Sequence, residues 1–280
     1  GANNQIGTIA VGQSALGALT SGAGNTAIGH QAALDITAGS SNTVVGHGAM
    51  DGSMGTNSED SSANTAIGKD AMGGSWANQQ LDDCVAVGQG AMSGALDNCD
   101  GTVAVGKSAL AALTSGSGNV AVGYQSLDAE TAGDYNTAIG HMALSAQNDG
   151  DLNTAVGYEA GLSHTTGSSG WGGNTFIGGK AGKYNGAGRG NTFVGSESAQ
   201  GNSGAVLTGN YNTTLGVQSG LLLQGAAHSN TFVGGYSGDV ATTAVENTCL
   251  GYGADIQDAT ATNQIVIGNN VTGTADNAVH

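Results

Sequence analysis

The side chains of this 280-residue chain that carry chemistry fall on a few recurring positions. Lys107, Tyr124, His141 and Tyr158 stand 17 residues apart, each directly after a glycine, and His30 and His47 hold the same place nearer the start. Aromatic and cationic side chains at a fixed interval form a candidate ligand-binding edge, because ring faces stack on sugars and the cation donates hydrogen bonds. The plainer reading is a solvated rim whose residue types suit a turn. Asp149-Gly150-Asp151-Leu152-Asn153 offers alternating oxygen ligands, so Asp149 and Asp151 are candidate calcium ligands. Asp97-Asn98-Cys99-Asp100-Gly101 and Asn57-Ser58-Glu59-Asp60 are acidic insertions of similar kind. No distal bidentate glutamate completes a calcium loop, and a solvated acidic loop is the alternative.

Nothing in the chain reads as catalytic. Ser163 and His164 have no matching acid at a recognisable place, and no carboxylate pair stands out among the many aspartates. Gly186-Ala187-Gly188-Arg189-Gly190 lacks the Lys-Ser/Thr ending of a phosphate loop and reads as an inserted loop. Cys84, Cys99 and Cys249 show no zinc spacing; Cys84 and Cys249 look like packed thiols, and a Cys84–Cys99 bridge is open. Asn212-Thr213-Thr214 and Asn270-Val271-Thr272 match the glycosylation sequon, which matters only in a eukaryotic secretory route. The chain is expected not to be an enzyme.

The elements that must position these residues come from one motif, seen at its plainest in Asn136-Thr137-Ala138-Ile139-Gly140. Fifteen copies end on glycines from Gly12 to Gly268, never closer than 17 residues, so 17 is one repeat and longer intervals carry insertions. A fixed short period is the signature of a stacked solenoid. The residue before the glycine is always Val, Ile or Leu, and two residues earlier it is always β-branched. That alternation predicts a short strand, and the glycine turns the chain. The motif opens on Asn in most copies, including Asn25, Asn42, Asn136, Asn153, Asn174 and Asn191. At a rung spacing of ~4.8 Å, stacked Asn side chains can form a hydrogen-bonded ladder; the alternative is that Asn merely suits a turn. The expected fold is all-β: a parallel β-roll or β-solenoid of about fifteen rungs, a rod of roughly 70 Å.

Composition agrees with this architecture. Glycine makes up 52 of 280 residues, proline is absent and aromatics are 4%, so the core must be built from close backbone packing and small apolar contacts. The net charge of −16 disfavours nucleic acid and anionic membranes as partners. No apolar run approaches the ~20 residues of a membrane span. The chain starts at Gly1 without an initiating Met, as expected of a trimmed or processed piece.

Two columns exchange volume along the chain. In residues 1–165 the residue two before the glycine is mostly Ala, while Leu or Met recurs at Leu16, Met50, Met72, Met92, Leu110, Leu127 and Leu144. From about residue 170 the first column becomes Phe176, Phe193 and Phe232, and the second becomes Gly182, Ala199, Gly220 and Gly238. Large-for-small exchange implies one shared space, because packed interiors favour volume-conserving swaps. Two regions are therefore expected: regular rungs with an Ala/Leu core over 1–165, and rungs with a Phe/Gly core over 166–280 that end in a shorter cap or junction. Both faces of the strand are apolar, so both should be covered. The chain's own second strand can cover one; the other needs the chain's own long loops, as in a monomeric solenoid, or a partner, as in a homotrimer packed around a common axis.

Residues 136–144, 153–161 and 109–124 resemble repeats of phage and other viral tail fibres. At greater distance they are similar to the head repeats of YadA-like trimeric autotransporter adhesins, which are trimeric left-handed parallel β-rolls. The ending, from Asn263 to Asn270 and on to His280, is similar to the segment that precedes an endosialidase-type chaperone in such fibres. The resemblance implies an extracellular structural and host-attachment protein, a trimeric virion tail fibre that meets a host-surface glycan or protein through its loops. The alternative is a bacterial adhesin head on the cell surface. A third reading is an ice-binding solenoid. It would need a solvent-facing Thr-x-Thr array, whereas here the Thr column shares its face with Val and Ile.

Overall fold

The computed structural model describes residues 5–52, 61–76, 81–165 and 171–280. The chain is an all-β parallel solenoid of fifteen three-residue strands and divides into two compact units, 1–136 and 137–280. The first unit holds β1 (Ile9–Val11), β2 (Thr26–Ile28), β3 (Thr43–Val45), β4 (Thr65–Ile67), β5 (Val85–Val87), β6 (Val103–Val105) and β7 (Val120–Val122). The second holds β8 (Thr137–Ile139), β9 (Thr154–Val156), β10 (Thr175–Ile177), β11 (Thr192–Val194), β12 (Thr213–Leu215), β13 (Thr231–Val233), β14 (Thr248–Leu250) and β15 (Ile265–Ile267). Within each unit every strand pairs in parallel with the next copy of itself, so Thr175 faces Thr192 and Phe176 faces Phe193. The strands coincide with the motif copies read from the sequence.

The closing glycine ends each strand. Gly29 has φ +141°, and a side chain there would run into the carbonyl of Gly46 on the next rung. Among the described residues no second strand forms on the opposite wall, contrary to one expectation from the sequence. That wall is a run of turns in which the second and fourth residues after the glycine take positive φ, as at Ser14 (59°) and Leu16 (51°) or Met142 (56°) and Leu144 (51°). The left-handed residue aims its N–H along the stack. Leu16 N–H reaches Ala32 O at 3.0 Å, Met92 reaches Ala109 O at 3.0 Å, and Leu144 reaches Ala160 O at 3.0 Å. The inter-rung bonds offset the conformational cost of roughly 1 kcal/mol or more per left-handed residue.

The asparagine column is a ladder. Asn212 donates both its backbone N–H (2.8 Å) and its side-chain Nδ2 (3.1 Å) to Asn191 Oδ1, and sends its other Nδ2 hydrogen to Ala227 O at 2.8 Å. The pattern links Asn25 to Asn42 and Asn119 to Asn136 in the first unit. In the second it runs Asn153, Asn174, Asn191, Asn212, Asn230, Asn247 and ends on the backbone of Gln264. Asn212 lies inside the ladder with no exposed surface, so its sequon is inaccessible to glycosylation, whereas Asn270 is exposed. The ladder lapses at Cys84 and Thr102. There the Cys84 Sγ–H turns to Cys99 O at 3.2 Å, and the buried Thr102 hydroxyl has no partner among the described residues.

The core is the middle column of the strand packed against the turn wall. Ala27, Ala66, Ala86, Ala104 and Ala138 are fully buried, as are Met50, Met72, Met92, Leu110 and Leu144 opposite them. The volume exchange is real and lies within one chain. A Cβ on Gly182 would fall 2.5 Å from the Phe176 ring and 2.9 Å from that of Phe193. At Gly161, the last position before the exchange, it would meet both Phe176 and Leu144. All three cysteines are free and buried, so the bridge considered between Cys84 and Cys99 is not formed. Burial pushes the Cys84 thiol up to about 11 and those of Cys99 and Cys249 up to about 12, which keeps them protonated and inert. At the end of the chain the tail folds onto β15, with Ile265 N–H to Ala278 O and His280 N–H to Ile265 O.

The strand face is also inverted relative to a fully covered strand. The first and third residues of each strand point outward; Ile28, Ile139 and Leu215 are 41%, 40% and 48% exposed. Ile139 is therefore not a core residue of the chain, as the sequence suggested, but part of an outward apolar column.

Three substitutions test the core. Phe193→Ala should cost about 3–5 kcal/mol, because its space is otherwise filled only by rigid neighbours. Gly182→Leu should be destabilising by overpacking against Phe176 and Phe193. Asn191→Ala should cost on the order of 2–4 kcal/mol, since it strands the Asn212 donors and the Gly209 carbonyl. Denaturant titration of each variant reads the differences; wild-type midpoints would contradict the packing and the ladder.

Candidate functional site

The rim after the closing glycine is exposed in both units. Lys107 and Tyr124 follow β6 and β7 on adjacent rungs, with Tyr124 43% exposed. His141 and Tyr158 follow β8 and β9 and lie with ring centroids 5.5 Å apart. His30 and His47 stack face to face at 4.9 Å, and Tyr236 meets Tyr252 edge-on at 5.6 Å. Parallel pairing in register brings the equivalent side chains of the two histidines, and of His141 and Tyr158, together one rung apart, whereas Tyr236 reaches Tyr252 from one position further along its turn.

Charged groups lace the same edge in the second unit. Lys183 Nζ lies 2.6 Å from Glu159 Oε2 in a largely buried pair, and Lys180 Nζ lies 3.5 Å from Glu197 Oε1, while Glu197 Oε2 accepts from Gln218 Nε2. The lysine holds Glu159 below the usual carboxylate range, while the hydrogen bond to Glu159 raises the Tyr158 phenol. The residues run along rungs β9 to β12, so opposite charges face each other across adjacent rungs.

The acidic insertions do not converge. Asp149 is exposed and Asp151 half-buried, and the described residues contain no group of three or more His, Cys, Asp or Glu side chains able to hold a metal ion. The Asn57–Asp60 insertion lies outside the described residues. Several corner aspartates instead serve as backbone acceptors. Ser62 N–H donates to Asp82 Oδ1 at 2.8 Å, Asp82 N–H to Asp100 Oδ1 at 2.9 Å, and Ser117 N–H to Asp134 Oδ1 at 2.7 Å. This second ladder, two residues before the asparagine, escaped the sequence reading because Ser, Asp and Asn share the role. No pocket is present among the described residues.

His164 is a core residue. It sits seven after its glycine, the place held by Ile36, Leu113 and Gln147 on other rungs, and it is fully buried. Its Nδ1 lies 2.8 Å from Gly186 O and its Nε2 lies 3.3 Å from Asn174 Nδ2, while the ring meets Phe176 edge-on at 5.9 Å. Asn185 Nδ2 also lies 3.0 Å from Nδ1, so the ring is held by polar groups at both nitrogens. Burial holds it well below its usual 6.5, at about 4, and the charge of Arg189 adds to this.

These features define a parallel β-solenoid repeat protein with an aromatic rim and no assembled catalytic group among the described residues. No protein-family model matches the chain, and no curated protein is significantly similar to it.

The buried imidazole gives a pH dependence. Between about pH 4 and 6.5 the unfolded chain binds a proton at His164 that the native chain excludes, so stability rises with pH across that window by roughly 3 kcal/mol from this group. Burial and the hydrogen-bonded Asp239 raise Asp255 above the usual carboxylate range, and that group acts in the opposite sense. The difference between wild type and His164→Gln isolates the histidine: the variant should lose less stability on acidification. Parallel pH profiles for the two proteins would refute the assignment.

Proposed function

We propose that this chain is a structural section of an extracellular attachment fibre, of the viral tail-fibre kind, in which three copies pack through the outward strand face. The observation that carries the reading is that face itself. The first and third strand residues are Thr, Val, Ile or Leu on every rung, with no Asp, Glu, Lys or Arg in a chain of net charge −16. Contiguous apolar columns left open to water mark an association surface. Charge is confined to the turns, where it keeps the assembly soluble without entering the interface. A bacterial adhesin head would use the same face in the same way. Host recognition by a glycan or protein then falls to the rim and the corners.

A second reading is favoured by one observation. The Thr column faces outward from Thr137 through Thr248 on seven successive rungs, half-buried to exposed, beside the apolar column. A flat array of this kind, if free in solution, orders water, as an ice-binding face does. The two readings make opposite use of the surface, since the first buries it and the second needs it bare.

Light scattering separates them. The fibre reading expects three times the chain mass at micromolar concentration. Ile139→Asp with Ile177→Asp should yield single chains that keep their β circular dichroism, because a carboxylate unpaired in an interface costs several kcal/mol, whereas on the free face it is near-neutral. A wild-type single chain that shows thermal hysteresis of freezing would overturn the fibre reading in favour of the second.

A further inference from the structure

The corner just before the asparagine column carries a feature that the assembly face does not explain. Trp171 is 47% exposed and its ring lies over Gly173, whose ideal Cβ would fall 3.0–3.6 Å from ring atoms. Tyr211 is 62% exposed and, from the equivalent position on the next rung, brings Cδ1 and Cε1 to 2.9 and 3.0 Å from the Cβ position of Gly190. The backbone does not demand glycine at this corner. Ser41, Ala63, Asp83, Ser229 and Glu246 hold the equivalent place at φ 58–61°, close to Gly173 (58°) and Gly190 (61°). Glycine is needed there for a different reason, namely that a methyl group would push each ring up. The Trp171 ring is thereby set against backbone with its outer side open to solvent, and the exposed Tyr211 rests on Gly190 by one ring edge. In the first unit Tyr135 lies over Gly118 by the same device.

The two rings sit two rungs apart, Trp171 leading into β10 and Tyr211 into β12, and Arg189 lies on the rung between them, leading into β11. The corner is pinned by Gly190 N–H to Gly172 O at 3.0 Å, Tyr211 N–H to Arg189 O at 3.0 Å and Arg189 N–H to Asn210 Oδ1 at 2.8 Å. Arg189 is the chain's one arginine, and among the described residues no carboxylate forms an ion pair with it. A flat, half-desolvated ring is what the apolar C–H face of a pyranose needs, and an adjacent guanidinium donates to the sugar's oxygens. Two rungs separate the rings by about 9.6 Å, close to two sugar residues of an extended chain.

We infer that Trp171, Arg189 and Tyr211 form a polysaccharide-binding platform, on which one glycan strand lies along three successive rungs with pyranose rings against Trp171 and Tyr211. The inference rests on the attachment reading only for the source of the glycan; its geometry belongs to a single chain.

Intrinsic fluorescence reads it directly. The chain has two tryptophans, and Trp76 is buried, with its Nε1–H on Met72 O, so acrylamide quenching reports on Trp171. The full chain is titrated with cellohexaose as a neutral probe and with a mannuronate hexamer as an acidic one. The expected result is that at least one probe shields Trp171. Binding should fall about ten-fold in Tyr211→Ala, the worth of one aromatic contact, and also in Gly190→Ala, which lifts the ring without removing it. A larger loss for the mannuronate than for the cellohexaose in Arg189→Ala identifies a uronate-bearing strand, and equal losses identify a neutral one. Absence of shielding by both probes at millimolar concentration, or binding unchanged in Tyr211→Ala and Gly190→Ala, overturns the platform. Light scattering on the same samples keeps that failure separate from failure of the fibre reading.

Discussion

The structure depends on one saturated side chain. An asparagine amide has two lone-pair sites and two hydrogens, and in this column all four are used: Asn191 Oδ1 takes two bonds from Asn212, and its Nδ2 reaches Gly209 O and the Asn185 side chain. The bonds from Nδ2 tie the start of one strand to the coil that leads into the next. Rung spacing and register are thus set at the same point. Because the column is buried, an unmade bond would leave a desolvated amide without compensation, which is far costlier than the net gain from making it. That asymmetry explains why the chain holds Asn there through repeats whose loops differ in length. Where the column lapses, at Cys84 and Thr102, the replacements are small and the backbone N–H of Cys84 still finds Asn64 Oδ1.

With spacing fixed, the interior can only trade volume. Each rung encloses a space bounded by the middle strand residue and the fourth residue after the glycine. The chain fills it either as small-plus-large, Ala138 with Leu144, or as large-plus-nothing, Phe176 with Gly182. The exchange occurs inside the second unit, between Leu144 and Phe176, and leaves the strand register unchanged. The buried polar run of Gln147, His164 and Asn185 lies beside this exchange, and the edge-on His164–Phe176 contact joins the two. The one buried imidazole is therefore coupled to the place where the core changes character.

Much of this was legible in the sequence, for physical reasons. Asparagine and glycine columns can be read because each answers a demand that few residue types meet. The Ala/Leu to Phe/Gly exchange could be read because volume is conserved. The inward side of the strand could not, since Ala or Phe on one side and Val or Ile on the other are all apolar, and only the turn wall decides between them. That wall was illegible because Leu144, Met142 and Lys180 take positive φ, against their preference, under the pull of inter-rung bonds. The Trp171 and Tyr211 platform left only a faint trace: glycines at a corner where other residues are accepted. The corner aspartates looked like metal ligands because the same oxygen that coordinates a cation also caps a backbone N–H.

Parallel sheets are ordinarily slow to form, because each pairing waits on a long crossover. Here the crossover is a single turn of the coil, and every strand finds its partner about seventeen residues away in the chain. The loop entropy lost per added rung is small and nearly constant. A sheet of this kind has the chemistry of a parallel sheet but the contact order of a helical array. Its assembly resembles a zipper: the barrier lies in the first few rungs, and each later one closes on a template that already presents its asparagine.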